Sequence, residues 1–268
     1  MYDYIKNMLA ELPPVMDGES RTPAPLHLFE MNEEDVKLSE KDAPFFYYYV
    51  AKLLFLCKRA RPDIQTAVAF LRTRVQNPDT DDYKKLTRTM RYLRGTSGLG
   101  LTLKADNIAK ISWWVDASFA VHPNMRSHTG VVLTLGGGAV YGSSTKQKLN
   151  TRSSTEAELV GVNDALPQVL WTRQFLNGQG YGDTDSVIYQ DNQSAMLLEK
   201  HGKGSSGKRT RHIDVRYYFV KDRIASKEIR VEYCPTGTML ADYFTKPLQG
   251  ALFIKFRDRI MNSSSDPA

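Results

Sequence analysis

The stretch ISWWVDASF, residues 111–119, decides how this chain is read, because it sets a carboxylate, Asp116, directly after an apolar strand-like run. Two further β-rich runs follow, TGVVLTLGG at 129–137 and GAVYGSSTK at 138–146, and turn residues separate the three. Together they predict a three-stranded antiparallel meander. Working outward toward the C-terminus, a long helix is expected from Ser154 to about Leu176, bent at Pro167. SVIYQ at 186–190 reads as a short strand and NQSAMLLEK at 192–200 as a helix. HIDVRYYFVKDRIA at 212–225 predicts another helix, with Ile213, Tyr217, Val220 and Ile224 on one face. EIRVEYC at 228–234 is a last strand, and residues 238–248 begin a terminal helix. The fold class is α/β, a mixed sheet flanked by helices.

Upstream of the meander the pattern is helical. Residues 1–43 are rich in Pro, Glu and Asp and predict an extended, partly disordered arm after a short initial helix. Residues 44–105 hold three helices. The first ends near the Arg61–Pro62 step, Asp63 is placed to cap the second, and Asn77–Pro78 stops that one. Asp81–Asp82 opens the third, where capping suits the pair better than catalysis.

Composition bounds the function classes. The 268 residues suit one large or two smaller domains, and 41% apolar with 25% charged residues is ordinary for a globular protein. Two cysteines, Cys57 and Cys234, exclude a disulfide framework and favour a reducing compartment. No signal peptide is expected from MYDYIKNMLAELPPVMDG, and the most apolar run, Phe45 to Cys57, contains Lys52 and is too short to span a bilayer, so no membrane role is expected. The net charge of +6 is uneven: Arg88, Arg91 and Arg94 recur on one segment, and Lys203, Lys208, Arg209 and Arg211 cluster among glycines and serines. Such patches attract phosphate backbones, although a solvated charged face is the plainer alternative.

Four acidic segments carry the chemistry: WWVDASF around Asp116, SSTEAELVG around Glu158, IYQDNQSA around Asp191 and MLADYFTKPL around Asp242. Taken singly, each has an ordinary alternative. Asp116 can face water at a strand end, Asp191 can cap a helix, and Asp242 can answer a helix dipole. Of the two glutamates in SSTEAELVG, Glu158 aligns with Val162, Ala165 and Val169, the helix face that packs on a sheet. Glu156 sits in the first turn and reads as a cap or neighbour. Brought together, the four carboxylates raise one another's pKa and need divalent cations, as in metal-dependent phosphodiester hydrolysis. No Cys/His spacing suggests zinc.

Five ordered blocks carry a resemblance: VDASFAVHPNMRSHTG, VYGSSTKQKLNTRSSTEAELVG, IYQDNQSAMLLEK, KRTRHIDVRYYFVKD and IRVEYCPTGTMLADYFTKPLQG. In this order they resemble the ribonuclease H domain of copia-type retrotransposon polyproteins, over residues 110–262. LLFLCKRARPDIQTAVAFLRTRVQNP and MRYLRGT resemble the end of the same polyprotein's reverse transcriptase, its thumb or connection portion. The resemblance implies a ribonuclease H-like sheet and cleavage of the RNA strand of RNA/DNA hybrids. It implies two Mg²⁺ ions, with Mn²⁺ able to substitute, held by Asp116, Glu158, Asp191 and Asp242. Lys208, Arg209, Arg211 and His212 are the expected nucleic-acid contacts, and the upstream reverse transcriptase is a possible partner. Family context alone suggests a cytoplasmic virus-like particle or the nucleus.

Two departures matter. No metal-binding Asp-Asp motif of a polymerase is found, so the chain should not polymerise DNA. The loop before Asp242, YCPTGTML, lacks the histidine that many cellular ribonucleases H carry there. His122 and His128 flank a hairpin near Asp116, where they could contact substrate, although exposed loop histidines usually do nothing specific. Two rivals stay open: a non-catalytic nucleic-acid-binding remnant, and an integrase or transposase. The latter ranks lower because its glutamate typically comes last.

Overall fold

The computed structural model describes residues 1–31, 34–106, 108–182, 184–201 and 211–263, with the side chains of 201, 211–214 and 217 outside that description. In chain order the elements are α1 (Tyr2–Ala10), α2 (Asp42–Cys57), α3 (Gln65–Arg74), α4 (Thr80–Gly95), β1 (Lys104–Ala105), β2 (Lys110–Ser118), β3 (His128–Thr134), β4 (Gly136–Gly137) and β5 (Tyr141–Lys146). There follow α5 (Ser154–Gly178), β6 (Asp185–Gln190), α6 (Gln193–His201), α7 (Arg211–Ala225), β7 (Arg230–Tyr233), α8 (Asp242–Thr245) and α9 (Gly250–Met261). The chain divides into two compact units, Met1–Thr102 with Lys246–Ala268, and Leu103–Thr245. The α9 segment, part of the span expected over 110–262, falls in the first unit. Pro247 separates α8 from α9, and α9 packs Phe253 edge-on against Tyr92 of α4.

In the first unit the segment expected to be a loose arm is extended but fixed. Thr89 Oγ1 and Lys85 Nζ donate to the carbonyls of Pro23 and Glu30, and Leu28 and Met16 are buried. The α4 start obeys the capping expectation with the roles redistributed. Asp79 is the N-cap, Asp82 completes a capping box, and Arg74 bridges the two at 2.9 Å from each. Asp63 lies in the short helical turn Pro62–Ile64 just before α3 and takes a two-pronged bond from Arg61, at 2.8 and 2.7 Å. Arg61 also donates to Thr96, and Tyr92 Oη donates to Asp63.

The second unit is built on a five-stranded sheet of order β5-β3-β2-β6-β7. β2, β3 and β5 form the expected antiparallel meander, and β6 and β7 add in parallel. This mixed α/β order is the ribonuclease H-like sheet expected from the sequence. Parallel β6 needs a crossover from β5, and α5 supplies it. Leu159, Val162, Leu166 and Val169 of α5 meet Ile111, Trp113 and Val115 of β2 in one buried core, and Val220 of α7 joins them. Val162, Leu166 and Val169 recur at helical spacing and the β2 residues at alternation, so each element buries one stripe. Gly161 lets α5 approach, since a Cβ there would stand 3.4 Å from Thr129 and 3.5 Å from Val115. The helix continues past Pro167 to Gly178. A two-residue ribbon pairs β1 with β4, an element too short for periodicity to reveal. Among the described residues no helix is long and apolar enough to cross a membrane.

Candidate active site

Parallel pairing places two of the expected acids side by side. β2 and β6 run in register with Trp114 opposite Tyr189, and two residues further along come Asp116 and Asp191. Neighbouring strands lie about 4.8 Å apart, so these carboxylates meet at the strand ends. α5 delivers the third. Ser153 caps its N-terminus by accepting from Glu156 N, Glu156 reaches back to Arg152 N, and one turn on Glu158 turns toward the sheet. Its Oε1 accepts from Ala117 N at 3.1 Å. Carboxylate oxygens of Asp116, Glu158 and Asp191 all lie within 4.8 Å of one another.

The structure also decides the alternatives the sequence left open. Glu158, not Glu156, is the buried member, with 4% of its surface exposed. The cap of α6 is Asn192, whose Oδ1 accepts from Ala195 N at 3.0 Å. Asp191 is relieved of that duty, and its Oδ2 accepts from Thr236 Oγ1 at 3.0 Å. Asp116 is buried in mid-sheet and accepts from Thr245 Oγ1. Asp242, expected as a fourth ligand, is not one of the converging three. It is buried in the first turn of α8, and the residue of that helix that meets Asp116 is Thr245, one turn later. Lys208 and Arg209 lie outside the described residues, as do the side chains of Arg211 and His212 at the start of α7.

Electrostatics marks the cluster as incomplete. Burial pushes the Glu158 carboxyl well up, and the charges of Asp116, Asp191 and Glu199 push it further, while the Ala117 N–H pulls the other way. Its second oxygen, Oε2, is buried with no hydrogen-bond partner among the described residues. A buried acceptor left so costs about 1–3 kcal/mol, more if charged. Glu199 of α6 is fully buried nearby and is raised to about 8 by burial, opposed by Gln190. With its amide turned to satisfy both groups, Gln190 donates to both Glu199 oxygens, at 2.8 and 3.2 Å. This donor set of hard oxygens, with one orphaned and buried, fits a divalent cation of the Mg²⁺ type.

The two histidines expected to be exposed are buried instead. The turn joining β2 to β3 folds back through Ala120 and Met125 in left-handed backbone, which carries His122 inward. His122 Nε2 lies 2.9 Å from His128 Nδ1, and His128 Nε2 lies 2.7 Å from Ser144 Oγ. Ser144 must donate its one proton to the carbonyl of Phe244, at 2.7 Å, so it accepts from His128 Nε2–H. His128 Nδ1 then accepts from His122 Nε2–H. Burial lowers His122 to about 4, with Lys146 adding, which suits this neutral, directional chain. It ends on the Phe244 carbonyl of α8.

No protein-family model matches the chain. A retrovirus-related Pol polyprotein from transposon TNT 1-94 of Nicotiana tabacum is 33% identical over 199 residues, 74% of this chain and 15% of that protein. One from transposon RE1 of Arabidopsis thaliana is 35% identical over 202 residues, 75% of this chain and 14% of the relative. The chain belongs to the retrotransposon Pol polyproteins. It spans about a seventh of the length of the relatives it matches. Among solved structures, a ribonuclease H1 isolated from compost, LC11-RNase H1, matches with TM-score 0.37 and 17% identity, over 51% of this chain and 92% of that one. Within this Pol segment, the unit Leu103–Thr245 carries the five-stranded mixed sheet and the carboxylate cluster.

Proposed function

We propose that this Pol segment cleaves the RNA strand of RNA/DNA hybrids at the Asp116–Glu158–Asp191 cluster. The observation that carries the reading is the convergence of three carboxylates around a buried, unpartnered Glu158 oxygen. Such a constellation costs stability unless cationic charge completes it.

Asp116, Glu158 and Asp191 would hold the cation, Mg²⁺ with Mn²⁺ as a substitute. When bound, the cation supplies Lewis-acid charge that makes water nucleophilic at neutral pH and steadies the leaving oxygen. The chain's own groups do the positioning. Ala117 N–H and Thr236 Oγ–H fix the angles of Glu158 and Asp191, so both present oxygens to one point. A second cation, with Asp242 as its ligand, belongs to the same proposal. So do phosphate contacts by Lys208, Arg209, Arg211 and His212, and choice of RNA through its 2′-hydroxyl.

The test is cleavage of an end-labelled RNA/DNA hybrid by the purified chain, in Mg²⁺, Mn²⁺ or EDTA, beside Asp191→Asn. Cleavage confined to the RNA strand, abolished by EDTA and reduced by about a thousandfold or more in the variant, is expected. Hybrid binding without turnover in saturating Mn²⁺ would select a non-catalytic nucleic-acid-binding remnant. Joining of DNA ends would select an integrase.

A further inference from the structure

We infer that Thr245 is a positioning residue for the metal centre, acting through Asp116; the inference rests on the metal-dependent reading above. Its hydroxyl is buried and donates to Asp116 Oδ2. The same hydroxyl lies 3.4 Å from the carbonyl of Asp242, at the far limit of a hydrogen bond. One proton serves one acceptor well, and the much closer Asp116 oxygen takes it.

The rest of the structure is arranged to hold Thr245 at that spot. α8 is only four residues long and cannot fix its own position by helix formation. Three neighbours fix it instead. Gly130, opposite Asp116 on β3, has no side chain where α8 crosses. A Cβ there would stand 2.7 Å from the Ala241 carbonyl, 2.7 Å from Thr245 Cγ2 and 2.9 Å from Phe244 Cβ. Ser144 donates to the Phe244 carbonyl and is itself held by the His128–His122 chain. Ser118 Oγ, two residues beyond Asp116 on β2, donates to the Thr245 carbonyl at 3.3 Å.

A carboxylate crowded by two others gains from an oriented donor. The bond fixes its side-chain rotamer, so the oxygens of the cluster converge before any cation arrives. A packing role alone would require the shape of Thr245 and not its hydroxyl.

Thr245→Val and Thr245→Ser separate the two, since the first keeps the shape and the second keeps the hydroxyl. Mn²⁺ binding to the full chain, followed by electron paramagnetic resonance of the free ion, is read beside the Mn²⁺ dependence of hybrid cleavage. Val should weaken Mn²⁺ binding by about 10–100-fold, and the cleavage midpoint should move with it. Ser should restore both to near wild type. If Val does not fold, as judged by circular dichroism, Thr245→Ala against Thr245→Ser makes the same comparison. Val binding Mn²⁺ like wild type, or Ser failing as Val does, overturns the inference and leaves the nuclease reading standing. Wild type that binds no Mn²⁺ overturns both.

Discussion

Each unit of this chain buries charge, and the two do so in opposite ways. In the first, Arg61 and Asp63 are almost wholly buried, and the chain answers both. Arg61 meets both Asp63 oxygens and two Thr96 oxygens, and Tyr92 adds a donor to Asp63. In the second, Asp116, Glu158 and Asp191 set three carboxyl groups together and leave Glu158 Oε2 without a hydrogen bond among the described residues. The first arrangement is closed and needs nothing from outside. The second is built by equally firm elements, and on the proposed reading a cation completes it. Buried charge alone does not mark a function; buried charge left unanswered does.

The largest effect should come from opening the closed cluster. Asp63→Ala strands a buried guanidinium and should destabilise the fold by about 3–5 kcal/mol, read as a lowered urea midpoint by circular dichroism. A small loss would mean that Arg61 finds water or another partner, and the contrast would weaken. Gly130→Ala tests the geometry of the open cluster without touching a charge. Displacing α8 should cost about 1–3 kcal/mol and lower Mn²⁺ affinity together with stability. Glu158→Gln should act in the opposite sense to Asp63→Ala. In EDTA it should stabilise the protein by about 1 kcal/mol, roughly 2–4 °C in Tm, while abolishing cleavage.

The smallest effect is a slope with pH. Glu158 is raised, and Glu199 is raised to about 8, both chiefly by burial. A carboxyl raised by folding keeps its proton where the unfolded chain, with a value near ~4.3, has released it. The stability this contributes is fully present below the unfolded value and is lost as pH rises through the folded one. Thermal melts in EDTA should therefore fall in Tm between about pH 5 and pH 8. Glu199→Gln should flatten the upper part of that fall, and an unchanged slope would show Glu199 to be better solvated than its burial implies.

How much of this was legible beforehand follows from what kind of signal each feature leaves. Alternation in ISWWVDASF and helical spacing after Ser154 report burial of one face, so the antiparallel meander and α5 could be read. The same spacing separated Glu158 from Glu156. Asp191 could not be told from a cap, because either Asp191 or Asn192 can cap α6 and only the hydrogen bond to Asn192 decides. Residues acting through long-range contacts left no local trace. Thr245 is 129 positions from Asp116, and the buried state of His122 depends on a tight turn packed against β5. The split between α8 and α9 had a signal, Pro247, that the continuous helix expectation passed over. The nearest warning for Thr245 was its place one helical turn after Asp242 in MLADYFTKPL.

The central claim is that the carboxylate cluster is completed by a divalent cation, and thermal unfolding at pH 8 with and without Mg²⁺ or Mn²⁺ tests it most directly. Ligand bound only by the folded state raises Tm by mass action. Wild type should melt several degrees higher with the ion, whereas Glu158→Gln and Asp191→Asn should not respond. Equal melting of wild type in EDTA and in millimolar Mn²⁺, or an equal rise in all three proteins, would contradict the account.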